Sequence, residues 1–217
     1  MSGPQLPLPF TIEPSRARED FIVAPCNEEA VRFIDAWPHW PAPAAALHGP
    51  PGSGKTHLVH AWAEKSGAEI VDAPQLDDRK LHALDPARPI AIENVDLAPA
   101  AVRDGALFAL LNTGTTIVLT GREHPRDWPV LLPDLASRLK AVLAFALWQP
   151  DDALLEGLAR KLFADRQLKV PDAVVTRMVI SLERSPSAIR DFVAHADAKA
   201  LAEKRPVTVG LIRELLG

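Results

Sequence analysis

The sequence predicts an α/β domain, a parallel sheet flanked by helices, followed by a small helical lid. Three observations carry that prediction. Short apolar runs at 44–48, 69–72, 90–92, 116–120 and 141–146 alternate with helix-patterned segments at about 55–66, 99–112 and 133–139. Strand–helix alternation of this kind builds a parallel sheet covered on both faces. After Pro150 the pattern changes, and 151–163, 171–182, 187–202 and 207–216 repeat apolar residues at helical spacing with no further strand-like run. Between the first run and its helix stands a glycine-rich loop ending in Lys55-Thr56.

The elements follow in order. Residues 1–17 hold Pro4, Pro7, Pro9 and Pro14 without periodicity and read as an extended tail. Phe21-Ile22-Val23 then leads to Asn27, an expected N-cap, with Ala30, Phe33, Ile34 and Trp37 at helical spacing behind it. Pro38, Pro41 and Pro43 end that helix as a stiff connector. The strand-like runs are continuous rather than alternating, as strands buried on both faces require. Asp or Ser near several of the later helix starts supplies capping oxygens. The expected organisation is a tail over 1–17, an α/β domain over 18–149 and a helical lid over 150–217.

Composition narrows the class further. The chain has 217 residues, 47% hydrophobic and 24% charged, which suffices for a globular core. Its net charge of −4 disfavours a protein that works mainly by gripping a phosphate backbone, so sequence-specific DNA binding is not expected. One cysteine, Cys26, allows no internal disulfide and points to a reducing compartment. No apolar run approaches the roughly 18 residues of a membrane span, and residues 1–4 do not open a signal peptide. A cytoplasmic protein with no membrane contact is expected.

Gly49-Pro50-Pro51-Gly52-Ser53-Gly54-Lys55-Thr56 fits G-x-x-x-x-G-K-[ST], between a strand-like run and a helix. Glycines let backbone N–H groups converge on phosphate oxygens. The Lys55 ammonium is expected to bridge the β- and γ-phosphates, and the Thr56 hydroxyl to ligate Mg²⁺. The positive end of the following helix adds to the anion site. A chance glycine turn before a helix is the plainer alternative, but strand, loop, Lys-Thr and helix all agree.

Such a site also needs an acid at a strand end. Ile90-Ala91-Ile92-Glu93-Asn94 is the one candidate between the loop and the lid. Glu93 is expected to hold Mg²⁺ directly or through water, the alternative being a solvated strand-end carboxylate. Asn94 falls where many hydrolysing enzymes place a Glu, and an amide takes no proton at neutral pH. Asp96 lies two residues on, with its direction left open. Nucleotide binding with poor autonomous hydrolysis is the expectation.

These motifs together resemble the AAA+ ATPases, and within them the DnaA-related group and its DnaA-inactivator family. Gly49–Thr56 continued by His57, Leu58 and His60 resembles that group's phosphate loop, and residues 132–139 resemble its segment ending in an arginine finger, here Arg138. Glu93-Asn94-Val95-Asp96 resembles the inactivator family's acid-Asn-aliphatic-acid run. The resemblance implies a base-recognition segment at Phe21 and Ile22 and a sensor arginine at Arg190, inside a helix start, rather than at Arg184 in the preceding turn. It implies ADP or ATP as ligand, with cofactor contacts from Phe21, Ile22, residues 49–57 and Arg190. Two departures stand out: Gly121-Arg122-Glu123-His124-Pro125 replaces the family's Asp-Arg-Pro-Pro, and the stretch from 72 to Pro89 is too short for an insertion that engages single-stranded DNA.

Gln5-Leu6-Pro7-Leu8-Pro9-Phe10 resembles the family's sliding-clamp-binding peptide. Leu8 and Phe10 are apolar anchors, with Gln5 and Leu6 beside them, and the prolines hold the peptide extended, which lowers the ordering entropy. Burying two anchors contributes roughly 1.5–3 kcal/mol each, enough for a micromolar single-copy ligand. A functionless proline-rich leader is the plain alternative.

The resemblance thus implies a regulator that binds the DNA polymerase sliding clamp (its beta subunit) and presents Arg138 to DnaA, stimulating hydrolysis in the partner's site. The rival readings are an autonomous ATPase acting as a helicase loader or remodelling factor, and a DNA-binding initiator fragment. A homo-oligomer is compatible with the sequence. His57 and His60 lack an acidic or cysteine partner at metal-ligand spacing and are expected to pack. Trp37, Trp40, Trp62, Trp128 and Trp148 are expected in core or connector packing, and Cys26 has no base nearby in sequence to activate it.

Overall fold

The structure is a computed structural model and describes residues 17–76, 78–85, 87–148, 150–182, 184 and 186–216. The tail peptide with Gln5, Leu6, Leu8 and Phe10 therefore lies outside the described residues.

Five strands, β1 (Ala44–His48), β2 (Glu69–Asp72), β3 (Ile90–Glu93), β4 (Ile117–Gly121) and β5 (Leu143–Ala146), form one parallel sheet in the order β2-β3-β4-β1-β5. The central strands β3, β4 and β1 are buried almost throughout, whereas the edge strands β2 and β5 are mostly half-buried. This matches the continuous apolar runs, because a central parallel strand has no wet face.

Alternate residues serve opposite faces. Ala46, Ile90, Ile92, Ile117 and Leu119 pack with Leu107 and Leu110 of α4 (Ala100–Asn112) and Leu135 and Leu139 of α5 (Pro133–Ala141). Leu47, Ala91 and Val118 face the other way, onto α1 (Glu28–Asp35) and α2 (Lys55–Ser66), where Ile34, Leu58 and Trp62 are all at most 2% exposed. A short α3 (Asp78–Ala83), which the sequence reading did not anticipate, follows β2. Its six residues are too few to show a helical period.

The remaining helices are α6 (Asp152–Asp165), α7 (Asp172–Ser181), α8 (Pro186–Glu203) and α9 (Val209–Leu216). They enclose a second core in which Leu155, Phe163, Val174, Met178, Val193 and Leu211 are at most 1% exposed. Ile22 packs against this core, and Phe21 against that of α1 and α2. Asp151 caps α6, its Oδ1 accepting from the Leu154 N–H at 2.8 Å, as its position at the helix start predicts.

Several local expectations are corrected. Asn27 does not cap α1 with its side chain. Its Oδ1 accepts from the Ala24 N–H and its Nδ2 donates to the Ile22 carbonyl, so it braces the segment before the helix. Helix α1 stops at Asp35, short of Trp37. The last strand begins at Leu143 rather than 141, because α5 runs on through Ala141. No helix among the described residues is long and apolar enough to cross a membrane.

Candidate nucleotide site

The C-terminal ends of β1, β3 and β4 open into one cleft of about 360 Å³, where parallel α/β sheets place their ligands. Its floor is the loop from β1 to α2, with Pro51, Gly52, Ser53, Gly54, Lys55 and Thr56 in the wall. Gly54 has φ +98°, and a Cβ there would stand 3.0 Å from the Phe21 ring, so the loop's last glycine lets Phe21 lie against it. Phe21 in turn meets the His57 ring edge-on, with centroids 5.1 Å apart. Phe21, Ile22, Cys26 and Asn27 line one side, and Trp148, Pro150, Leu154 and Leu158 lead into the helical unit.

Lys55 is held by its own loop. Its Nζ donates to the carbonyls of Gly49 at 2.6 Å and Pro50 at 2.8 Å, and lies 3.4 Å from Ser53 Oγ. Burial holds the Lys55 ammonium below the usual lysine value; Asp96 and Glu93 oppose that and Arg122 reinforces it. Glu93 and Asp96 are not among the residues lining the cleft, but Asp96, whose direction the sequence left open, is tied to Arg122, which is. Asp96 Oδ2 accepts from the Arg122 N–H at 3.1 Å.

Two carboxylate oxygens are left over. Glu93 is 8% exposed, yet its Oε1 is buried without a hydrogen-bond partner in the structure, as is Oδ1 of Asp96. A buried, unpaired carboxylate oxygen is costly and normally meets a cation or donor. With the Thr56 hydroxyl in the cleft wall and these carboxylates just behind it, next to the wall residues Asn94 and Arg122, the set suits a divalent cation such as Mg²⁺. That ion would neutralise phosphate charge when a nucleotide is bound. Among the described residues no cluster of three or more His, Cys, Asp or Glu forms a separate metal site.

The lid contributes Arg190, which lines the cleft and lies 3.3 Å, Nη2 to Nδ1, from His57. Arg184 points elsewhere, paired with Asp152 at 2.5 Å. His57 also meets the Ala17 carbonyl at 2.9 Å through Nε2, and this agrees with a packing role. Arg122 lines the cleft as well. Cys26 is a wall residue whose thiol is pushed up, first by burial and then by Asp151, which keeps it protonated and unreactive. The expected contacts Gly49, which is buried, and Pro50 do not line the cleft, although their carbonyls hold Lys55.

Several wall residues lay outside the expected set, among them Asn27, Gly121, Pro150 and Trp148. Trp148 is 61% exposed and stands at the cleft, in contrast to the buried Trp62 and Trp128. Its place between the last strand and the first lid helix was the available signal. Arg138, on α5, is exposed and is not among the residues lining the cleft; its guanidinium lies over the Phe108 ring, 5.6 Å from the centroid.

A parallel sheet with a glycine loop at the end of β1, acids at the end of β3 and a helical unit lining one side of the cleft defines a P-loop nucleotide-binding fold of the AAA type. The description of the AAA domain family matches residues 45–185, and the chain belongs to that family. Solved structures agree in fold. Domain III of the replication initiation protein DnaA from Thermotoga maritima superposes with a TM-score of 0.74 at 17% identity, covering 94% of this chain and 96% of that one. Replication initiator DnaA bound to AMPPCP and single-stranded DNA gives 0.72 at 18%, over 89% and 69%. The Thermotoga maritima RuvB Holliday junction branch migration motor gives 0.73 at 14%, over 92% and 70%. At these identities the likeness is one of fold, and it is as strong to a branch migration motor as to an initiator.

Proposed function

We propose that this chain is an Hda-like negative regulator of DNA replication initiation. It holds an adenine nucleotide, ADP, in the cleft without rapid turnover and docks on the DNA polymerase sliding clamp through Gln5, Leu6, Leu8 and Phe10. It then offers Arg138 to ATP bound by a neighbouring DnaA. The observation that carries the reading is the placement of Arg138, exposed on α5 and absent from the lining of its own cleft. From there its planar fork serves the nucleotide of a neighbour, stabilising charge that spreads over the γ-phosphoryl oxygens. The Phe108 ring beneath the guanidinium restrains the side chain at the surface.

The chain's own site suits retention. Lys55, the Arg190 guanidinium and the buried Glu93 and Asp96 oxygens can hold phosphates and a cation, while Asn94 supplies an amide where a proton acceptor is wanted. The net charge of −4 favours action through protein partners. The likeness to DnaA bound to AMPPCP supports adenine nucleotide as the ligand. A second reading, an autonomous ATPase acting as helicase loader or remodelling factor, draws on Asp96, a further carboxylate whose charge acts on Lys55.

The test is reconstitution: DnaA-bound ATP is followed with and without this protein and with and without clamp loaded on DNA. Hydrolysis accelerated only when both are present supports the regulator. Hydrolysis of ATP by this chain alone, at a rate indifferent to DnaA and clamp, supports the second reading and overturns the first.

A further inference from the structure

Asn94 is held from two sides. Its backbone N–H donates to Thr120 Oγ at 3.0 Å, tying it to β4, and its Nδ2 donates to Asp72 Oδ1 at 2.8 Å, tying its side chain to β2. The parallel register sets Asp72 opposite Glu93, so Asn94 is the next residue beyond the pair. Asn94 sits in the left-handed region, φ 57° and ψ 41°, which Asn and Asp tolerate best among residues with a side chain. Asn94 lines the cleft, whereas Asp72 does not.

The chemistry of this contact is one-directional. An ionised carboxylate only accepts hydrogen bonds, so the NH₂ end of the amide is committed to Asp72. The remaining acceptor of the amide, Oδ1, then belongs to a residue in the cleft wall. It can accept a hydrogen bond from water, but it cannot take the proton.

We propose that Asp72 and Asn94 are a transposed pair, with the carboxylate on β2 behind the wall and the amide on β3 in the wall. Asp72 acts as a positioning residue that locks Asn94 into an orientation which orders water without deprotonating it. This rests on the cleft binding an adenine nucleotide, and it explains retention by a specific contact.

The pair can be exchanged with no change of net charge and almost none of shape, in D72N/N94D. The carboxylate then stands in the wall and the amide behind it. Water can attack the terminal phosphorus while the bond to the bridging oxygen breaks, ADP leaving with that electron pair and the water proton passing to the carboxylate and on to solvent. ATP turnover by D72N/N94D should exceed wild type at least tenfold.

Fluorescent ADP binding is measured alongside, so the two readings fail separately. If wild type does not bind the nucleotide, the nucleotide site itself is wrong. If D72N/N94D binds within threefold of wild type and its turnover stays at the wild-type level, the transposed pair is overturned. A measurement without turnover covers variants that do not fold: in D72A the Asn94 side-chain NH₂ protons should exchange with solvent at least tenfold faster by NMR. Unchanged exchange there also overturns the proposal.

Discussion

Arg103 and Asp104, adjacent on α4, meet in the protein interior: Nη2 lies 2.7 Å from Oδ1, and the residues are 1% and 2% exposed. Arg103 also donates to the carbonyls of Val95 at 2.8 Å and Pro129 at 2.6 Å, and Asp104 Oδ2 accepts from the Leu131 N–H at 2.6 Å. The pair therefore ties the turn after β3 to the chain that enters α5. Breaking one side of a buried pair strands the other charge and costs about 3–5 kcal/mol. Arg103→Met should lower stability by that amount in urea unfolding, and R103M/D104L should lose less than the sum of the two single variants.

Lys55→Ala should keep the fold by circular dichroism and weaken ADP binding. The loss of a charged hydrogen bond is worth about 1.5–3 kcal/mol, roughly tenfold to a hundredfold or more in Kd. Because burial lowers the Lys55 pKa from 10.5, the ammonium of the free protein is lost at a lower pH than in an ordinary lysine. ADP affinity in wild type should therefore begin to fall below pH 10.5 as pH rises, and the Lys55 variant should lack that limb. Calorimetric titration across pH 7–10 decides it.

Arg138→Ala and Arg138→Lys should leave ADP binding and clamp docking near wild type. Removing the guanidinium from the Phe108 ring is worth about 0.5–1 kcal/mol of stability at an exposed site. Both variants should nonetheless abolish stimulation of DnaA-bound ATP hydrolysis, since an ammonium lacks the two-pronged contact. Wild-type stimulation by either would exclude Arg138 as the finger.

Trp148→Ala should weaken ADP binding about tenfold, in line with the roughly 1–3 kcal/mol of stacking a base on an aromatic ring. The ribose-triphosphate moiety without a base should bind the variant and wild type alike. Equal ADP affinities for the two proteins would remove Trp148 from the site.

Glu214 bridges α8 and α9 by accepting from Lys199 at 2.7 Å and Arg205 at 2.5 Å, and these bonds hold its carboxyl at about 2 rather than 4.5. A depressed carboxyl contributes stability that is fully present above the unfolded value and lost as pH falls toward the folded one. The stability gap between wild type and Glu214→Gln should thus be level above about pH 5 and close between 4.5 and about 2. High salt should narrow it at every pH, since the group is exposed.

The sheet was legible because its central strands are buried on both faces and write themselves as unbroken apolar runs. The phosphate loop was legible because glycine, lysine and threonine occur in one contiguous segment. What the sequence hid depends on neighbours distant in the chain. Asp72 meets Asn94 only through the register of β2 and β3, and Asp96 reaches the Arg122 N–H only across the turn behind β3. Asn27 looked like a cap because a helix follows it, yet the carbonyl of Ile22 and the N–H of Ala24 won its side chain. Arg103 and Asp104 carry no local sign of their burial, since the carbonyls that Arg103 meets inside belong to Val95 and Pro129.

Gly49 has φ +147°, and a Cβ built on it would lie 1.9 Å from the carbonyl oxygen of Leu147, whose N–H donates to the His48 carbonyl at 2.7 Å. The first residue of the phosphate loop is thus pressed against the strand that leaves the sheet for the helical unit. Backbone meets backbone there, so no neighbouring side chain can give way to admit a larger residue. Any swing of the lid that begins near residue 147 must carry this crossing with it or pivot about it. The chain's exit from β5 and the loop floor are one joint, and in a library of variants at position 49 tolerance should be confined to glycine.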